Sequence, residues 1–90
     1  MKIMAICGSG LGSSFMVEMN IKKVLKKLAI DADVEHSDLS SATPGAADLF
    51  VMAKDIAASA SVPESQLVVI NNIIDINELE AQLRAWFERQ

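Results

Sequence analysis

The chain has 90 residues, of which 51% are hydrophobic and 22% are charged, and its formal net charge is -4. This composition predicts one globular domain, residues 1–90, and excludes a disordered chain. The negative net charge argues against nucleic-acid binding, because contacts to a phosphate backbone require clustered lysine and arginine. No apolar stretch approaches the roughly 20 residues of a membrane span, and we identify no signal peptide.

The chain contains a single cysteine, Cys7. An unpaired thiol is typical of a reducing compartment, so we expect a cytoplasmic protein. The basic residues cluster in the second half of a predicted helix, at Lys22, Lys23, Lys26 and Lys27. There they complement the negative end of the helix, and we interpret them as a solvated face. The alternative is a docking patch for an acidic partner.

Four short apolar runs predict strands, at residues 2–6, 32–36, 49–52 and 67–70. A helix is predicted between the first two strands, over residues 14–28. Its apolar positions recur at intervals of three or four residues, which places them on one helix face: Val17, Ile21, Val24 and Leu28. The first strand is therefore followed by a crossover helix.

The same periodicity predicts a helix at the end of the chain, with core positions at Leu79, Leu83, Trp86 and Phe87. Asn77 is a candidate N-cap for this helix, because Glu80 follows it at capping-box spacing. The middle of the chain is less regular. Residues 40–47 are predicted as a loop or short helix, and residues 54–61 as a short helix that Pro63 ends.

Alternating strands and helices predict an α/β fold, a three-layer sandwich with a four-stranded parallel sheet and a phosphatase-like or flavodoxin-like winding. Parallel strands place their carboxyl ends at one edge of the sheet, where such folds bind ligands. The segments after the four strands should meet there. They are residues 7–14, 37–38, 53–55 and 71–72.

The most informative segment follows the first strand and reads Cys7-Gly8-Ser9-Gly10-Leu11-Gly12-Ser13-Ser14. Glycines between a strand and a helix predict a phosphate cradle of backbone N–H groups at the positive helix end, here beside a thiol. The spacing does not match the dinucleotide fingerprint G-x-G-x-x-G. The lysine of a mononucleotide P-loop is also absent, since Ser13-Ser14 follows the last glycine.

A cysteine phosphatase carries C-x-x-x-x-x-R, and here the arginine position is occupied by Ser13. An arginine presents a fixed fork of donors to the phosphate oxygens, and rapid hydrolysis depends on its charge. A loop with only neutral N–H groups and hydroxyls is better suited to holding a phosphoryl group and passing it on.

The pattern resembles the enzyme IIB component of the bacterial phosphoenolpyruvate-dependent sugar phosphotransferase system, of the ascorbate and galactitol type, with a lactose/cellobiose-like fold. The loop after the first strand carries the resemblance. Further support comes from residues 34–42, which read VEHSDLSSA, and from Ala47-Asp48-Leu49 leading to Lys54-Asp55. The resemblance spans nearly the whole chain, and the second segment is more similar to the ascorbate branch.

The resemblance implies a protein-phosphocysteine–sugar phosphotransferase. Cys7 would accept a phosphoryl group from a phosphohistidine on a IIA protein and pass it to a sugar imported by the membrane IIC permease, at the inner face of the membrane. The backbone amides from Gly8 to Ser14 would bind the phosphoryl oxygens, with the hydroxyls of Ser9, Ser13 and Ser14 as further donors. Because the thiolate is the nucleophile, we expect a depressed pKa for Cys7. No cofactor and no metal are implied.

Three further residues are possible accessory groups at the same edge: His36, Asp38 and Asp55. For each, a structural role is also open, with His36 as a structural or surface residue and the two aspartates as caps of the turn and helix that follow them. Two other functions stay open for the chain: a low-molecular-weight cysteine phosphatase or arsenate reductase, and a regulatory IIB-like module. The apolar residues beyond the loop could pack or form a rim for IIA: Phe15, Met16 and Met19.

Overall fold

The computed structural model describes residues 1–7, 11–38, 43, 45–71 and 75–89, without the side chains of residues 7, 11–14, 38 and 55. Strands and helices alternate along the described chain. The elements are β1 (Lys2–Cys7), α1 (Leu11–Lys27), β2 (Asp33–Asp38), β3 (Leu49–Ala53), α2 (Lys54–Ala57), a 3-10 helix (Glu64–Gln66), β4 (Leu67–Ile70) and α3 (Ile76–Glu88).

The four strands form one parallel sheet in the order β2-β1-β3-β4, which confirms the predicted α/β fold. The order reverses around β1, since the chain proceeds from β1 to β2 on one side and then to β3 on the other. Open α/β sheets bind ligands at such a switch in strand order, beyond the carboxyl ends of the strands. The carboxyl end of β1 lies at this position.

The two longer helices pack on one face of the sheet and the short helix α2 on the other. Ile3 and Ala5 of β1 point to the face covered by α1 and α3, whereas Met4 and Ile6 point to the face of α2. The α1 side holds the larger core. Its helix residues include the predicted positions Val17, Ile21, Val24, Leu79, Leu83 and Trp86, with Leu28 and Phe87 partly buried against them.

The sequence of each strand fits its place in the sheet. The interior strand β3 is apolar from Leu49 to Met52 and buried on both faces, as expected for a central parallel strand. The edge strand β2 instead exposes charged residues, including Asp33 and Glu35. Charged side chains on an edge strand oppose pairing with another chain.

Several predicted boundaries are wrong. Helix α1 begins at Leu11, three residues before the predicted start at residue 14. Helix α2 ends at Ala57, and Pro63 is instead the N-cap of the 3-10 helix, because its fixed φ suits the residue that enters a helix. Residues 45–46 form a turn in which Ala46 N donates to Thr43 O over 2.9 Å; residues 40–42 and 44 of the predicted loop lie outside the described residues.

The N-cap of α3 is Asp75, not Asn77. Asp75 Oδ1 accepts hydrogen bonds from the backbone N–H groups of Asn77 (3.0 Å) and Glu78 (3.1 Å). Both residues are good N-caps, but the carboxylate also carries a charge that the positive helix end favours. Asn77 is therefore inside the first turn of α3, and its predicted capping box with Glu80 does not form.

Candidate active site

Cys7 is the last residue of β1, at the carboxyl edge of the sheet. The parallel register places it opposite Asp38, the last residue of β2. Because β1 pairs with β2 on one side and β3 on the other, Cys7 ends an interior strand at the switch in strand order. The backbone therefore brings the cysteine to the position where this class of sheet binds ligands.

The glycine-rich segment divides into two parts. Gly8, Ser9 and Gly10 lie outside the described residues, whereas the next four residues, Leu11 to Ser14, form the first turn of α1. The first four N–H groups of an α-helix have no acceptor within the helix, and they carry its positive partial charge. The early start of α1 thus adds these amides to the carboxyl edge that also carries Cys7. The thiol of Cys7 and the hydroxyls of Ser9, Ser13 and Ser14 are outside the described side chains, so their predicted contacts stay predictions.

The segments after β2, β3 and β4 were also predicted to contribute to this edge of the sheet. Asp38 ends β2, and its side chain lies outside the described atoms. The prediction that Asp55 caps α2 is wrong, because the N-cap is Ala53 and Asp55 is the second helical residue. After β4, Asn71 donates from its backbone N (3.0 Å) and its Nδ2 (2.8 Å) to the carboxylate of Glu78 on α3. Asn72 lies outside the described residues.

His36 lies on β2, opposite Ala5 and two residues before Asp38. Its Nδ1 contacts Oε1 of Glu18, a residue of α1. The ring of Phe15 meets the imidazole edge-on, with 5.9 Å between ring centroids and an interplanar angle of 84°. His36 is therefore held by two residues of α1, Phe15 and Glu18, two residues before the end of β2.

Glu18 is a functional candidate that sequence reasoning missed. Its side chain is buried. One carboxylate oxygen contacts His36, and the other, Oε2, forms an ion pair with Lys22 Nζ at 2.8 Å. The hydrogen bond from Lys22 is the main reason that the pKa of Glu18 lies below its ordinary value of 4.5, and His36 lowers the pKa further, whereas burial acts in the opposite direction. The sequence did contain a signal that Glu18 faces the core. It precedes the core residues Ile21 and Leu25 by three and seven positions, which places all three on one side of the helix.

An apolar patch begins immediately after the first turn of α1. Phe15, Met16 and Met19 expose 53%, 43% and 44% of their surface. The basic cluster follows on the same helix, where Lys22 pairs with Glu18 and Lys27 pairs with Glu80. The outer side of α1 thus changes from apolar beside the candidate site to basic further away.

The described part of the chain shows neither a metal cluster nor a membrane-spanning helix. Among those residues, no group of three or more His, Cys, Asp or Glu side chains is arranged to hold a metal ion. None of the helices seen there is both long and apolar enough to cross a membrane.

The geometry agrees with the comparison to known families. Residues 2–85 match the model of the family described as "PTS system, Lactose/Cellobiose specific IIB subunit". The chain belongs to this family. Membership gives the protein the general role of a IIB component in a phosphotransferase system and confirms the resemblance seen in the sequence. The matched range includes both Cys7 and the glycine-rich loop.

A relative from Mycoplasma pneumoniae is named "Ascorbate-specific PTS system EIIB component". The two proteins are 27% identical over 85 residues, which cover 90% of this chain and 88% of the relative. This relative supports the same assignment to the IIB proteins.

The fold is also similar to a solution structure of a low molecular weight protein tyrosine phosphatase from Bacillus subtilis. The TM-score is 0.58, the sequence identity is 18%, and the match covers 100% of this chain and 99% of the phosphatase. This similarity confirms the predicted phosphatase-like winding of the sheet.

Proposed function

We propose that this IIB protein carries a phosphoryl group on Cys7. In this proposal, the thiolate attacks the phosphorus of a phosphohistidine on a IIA protein, a P–S bond forms, and the P–N bond breaks. The histidine of IIA regains a proton. A hydroxyl oxygen of an ascorbate-like or galactitol-like sugar held by a membrane IIC permease then attacks the phosphorus. An O–P bond forms, the P–S bond breaks with release of the thiolate, and the proton of the hydroxyl passes to solvent.

One observation carries the proposal. Cys7 ends the interior strand at the switch in strand order, and the next described element is the amino end of a 17-residue helix. The free N–H groups of that turn are donors suited to phosphoryl oxygens, and the helix end favours both a thiolate and a phosphate. The backbone supplies these donors without an arginine.

The loop composition supports transfer over hydrolysis. Ser13 occupies the position where a cysteine phosphatase has arginine, so the loop provides no guanidinium to stabilise charge on the transferred group. A general acid is also unnecessary in a carrier, because the accepting hydroxyl comes from a sugar on another subunit. Asp38 and Asp55 are therefore not assigned a catalytic role.

The test is reconstitution with phosphoenolpyruvate, the general phosphotransferase proteins and candidate IIA partners, followed by intact and peptide mass spectrometry. We expect one phosphoryl group on the peptide containing Cys7, and none in the Cys7→Ser variant. Phosphate on another residue, or no phosphate with any IIA protein, would refute the carrier function. A Cys7→Ser protein that kept its biological effect would instead favour the regulatory module.

Hydrolysis is the second candidate, because the fold is shared with a low molecular weight phosphatase. The two functions differ in their rate of turnover on a generic phosphomonoester such as p-nitrophenyl phosphate. We expect negligible turnover by the native protein. Rapid turnover that Cys7→Ser abolishes would favour the phosphatase.

The patch of Phe15, Met16 and Met19 is the proposed docking surface for IIA. A donor that delivers its phosphohistidine to Cys7 has to cover the amino end of α1, and the patch starts there. Exposed methionines adapt to a partner surface, and the lysines further along α1 favour a partner with an acidic rim.

A charge placed in the patch tests this docking surface. We expect Met19→Glu to slow phosphorylation by IIA at least tenfold, because a desolvated charge opposes the contact. The control is Ala85→Glu, at an exposed position near the far end of α3. Equal rates for both variants would remove the patch from the interface.

A further inference from the structure

Glu18 is the one charged side chain that is buried in the described parts of the chain. Both of its carboxylate oxygens are used. Oε1 contacts Nδ1 of His36 on the edge strand β2, and Oε2 accepts from Lys22 Nζ at 2.8 Å, one turn further along α1. The carboxylate therefore ties the helix to the strand beside β1.

Phe15 holds His36 from a second direction. Its ring meets the imidazole edge-on, with 5.9 Å between the two ring centroids. Phe15 and Glu18 are three residues apart on α1, so they lie on neighbouring turns of one helix side. His36 precedes Asp38 by two residues, and Asp38 is opposite Cys7. The cluster of Phe15, Glu18 and His36 thus lies about 6–7 Å along the sheet from the level of Cys7.

A buried carboxylate is an unusual choice for this position. An apolar residue would continue the packing of Ile21 and Leu25, whereas a buried charge needs partners in defined geometry to offset the loss of its hydration. Such a contact determines where the helix lies relative to the strand. The field of a helix end acts mainly within the first turn, so a small displacement of α1 changes how its amides face a group at the end of β1.

We propose that Glu18 is a positioning residue, which holds His36 and thereby fixes the first turns of α1 over the carboxyl end of β1 in the arrangement that activates Cys7. This inference rests on the proposed function, in which Cys7 is the nucleophile. Glu18 acts through the position of the helix, and His36 and Phe15 are the groups that transmit its effect.

The chain offers a matched control in Glu80 of α3. Its carboxylate also contacts nitrogen atoms of two side chains, with Lys27 Nζ at 2.9 Å from Oε1 and Arg84 Nη2 at 3.0 Å from Oε2. Its side chain is 18% exposed, against 11% for Glu18. Glu80 joins α3 to the last turn of α1, far from the amino end of that helix.

The experiment measures the rate of Cys7 alkylation by iodoacetamide against pH, which reports the thiolate fraction and needs no partner protein. We expect Glu18→Ala to move the midpoint of the profile upward by about one pH unit, equivalent to a roughly tenfold smaller thiolate fraction below the midpoint. His36→Ala should move it in the same direction. Glu80→Ala should leave it unchanged.

The sign separates positioning from direct electrostatics. Removing the negative charge of Glu18 would by itself favour the thiolate and move the midpoint downward, whereas a displaced helix moves it upward. A downward or absent shift in Glu18→Ala, or an equal shift in Glu80→Ala, overturns the proposal. If Glu18→Ala fails to fold by circular dichroism, Glu18→Gln is held to the same criterion.

Phosphorylation of the native protein by IIA is followed in parallel. If the native protein is phosphorylated normally but the alkylation profile does not move in Glu18→Ala, only the positioning role is refuted. If the profile moves in Glu18→Ala as expected but the native protein never accepts phosphate, the carrier function is refuted and the positioning role is left in place.

Discussion

Glu18 also has a consequence for stability, because its pKa differs between the folded and unfolded chain. In the fold its pKa is held below the ordinary value of 4.5, chiefly by the hydrogen bond from Lys22. A carboxyl group with a lowered folded pKa stabilises the protein when it is ionised in both states. This contribution is complete above the unfolded pKa and is lost as the pH falls through the folded value.

We therefore expect Glu18→Gln to destabilise the protein by about 1–3 kcal/mol at pH 7, since the variant loses a charged and hydrogen-bonded group at a buried position. The difference from the native protein should shrink as both are compared at lower pH, below 4.5. Urea unfolding of both proteins at several pH values measures this. An equal difference at pH 7 and pH 3 would contradict the linkage.

At the scale of secondary-structure elements, the end of α1 shows an unfavourable residue in a well-formed motif. Ala29 has a φ of 58°, in the left-handed region that favours glycine. Ile30 N donates to Leu25 O at 2.9 Å, and Ala29 N donates to Lys26 O at 3.2 Å. These are the two hydrogen bonds of a Schellman motif, which satisfies carbonyl groups left free at the helix end.

We expect Ala29→Gly to stabilise the protein by about 1 kcal/mol. The relief of left-handed strain, about 1–2 kcal/mol, exceeds the entropy that glycine adds to the unfolded chain. Denaturant midpoints at constant slope measure the change. The control is Ala58→Gly, because Ala58 has a right-handed φ of -61° and should gain nothing. Loss of stability in Ala29→Gly would contradict the motif.

The start of α3 provides a second element-scale prediction. Removing the side chain of Asp75 should cost about 1 kcal/mol, within the range 0.5–2, because two backbone N–H groups lose their acceptor. Asn77→Ala should cost less, since Asn77 is inside the first turn. Thermal or urea unfolding of the two variants decides which residue is the cap. A larger loss for Asn77→Ala would restore the sequence-based assignment.

The outcome for these helix ends shows what the sequence could and could not predict. Apolar periodicity located the core face of α1 at Val17, Ile21 and Val24, because the burial of a helix stripe depends on local spacing. The end of α1 was not marked by a glycine, because its left-handed residue is Ala29. At the start of α3, Asp75 and Asn77 are both good N-caps two residues apart, so residue type could not separate them.

The candidate site was predictable to a similar degree. The motif alone placed Cys7 at a strand end before a helix, because glycine and a lone thiol after an apolar run are local signals. The pairing of Glu18 with His36 was not predictable, since it joins residues 18 positions apart and depends on how α1 crosses the sheet. Predicting it would require the side-chain geometry of the packed fold.

At the scale of the whole molecule, burial is unevenly distributed over the sheet. The interior strands hold residues with no exposed surface, including Ile3 and Ala5 of β1 and Phe50 of β3. One face is covered by the two long helices, and the other by the four-residue helix α2 among the described elements. Cys7 therefore ends the strand with neighbours on both sides and a large core beneath it.

This distribution predicts the order of native-state hydrogen exchange. Amides of β1 and β3 should exchange only through global unfolding, because opening either strand exposes the main core, whereas α2 should open locally with a much smaller free energy. Exchange followed by NMR at increasing denaturant separates the two classes, since local opening depends little on denaturant. If α2 were protected as strongly as β3, stability would be uniform over both faces. With the expected order, the proposed nucleophile Cys7 ends one of the most stable strands, so an opening of α2 would leave the backbone of Cys7 in place for the proposed transfer.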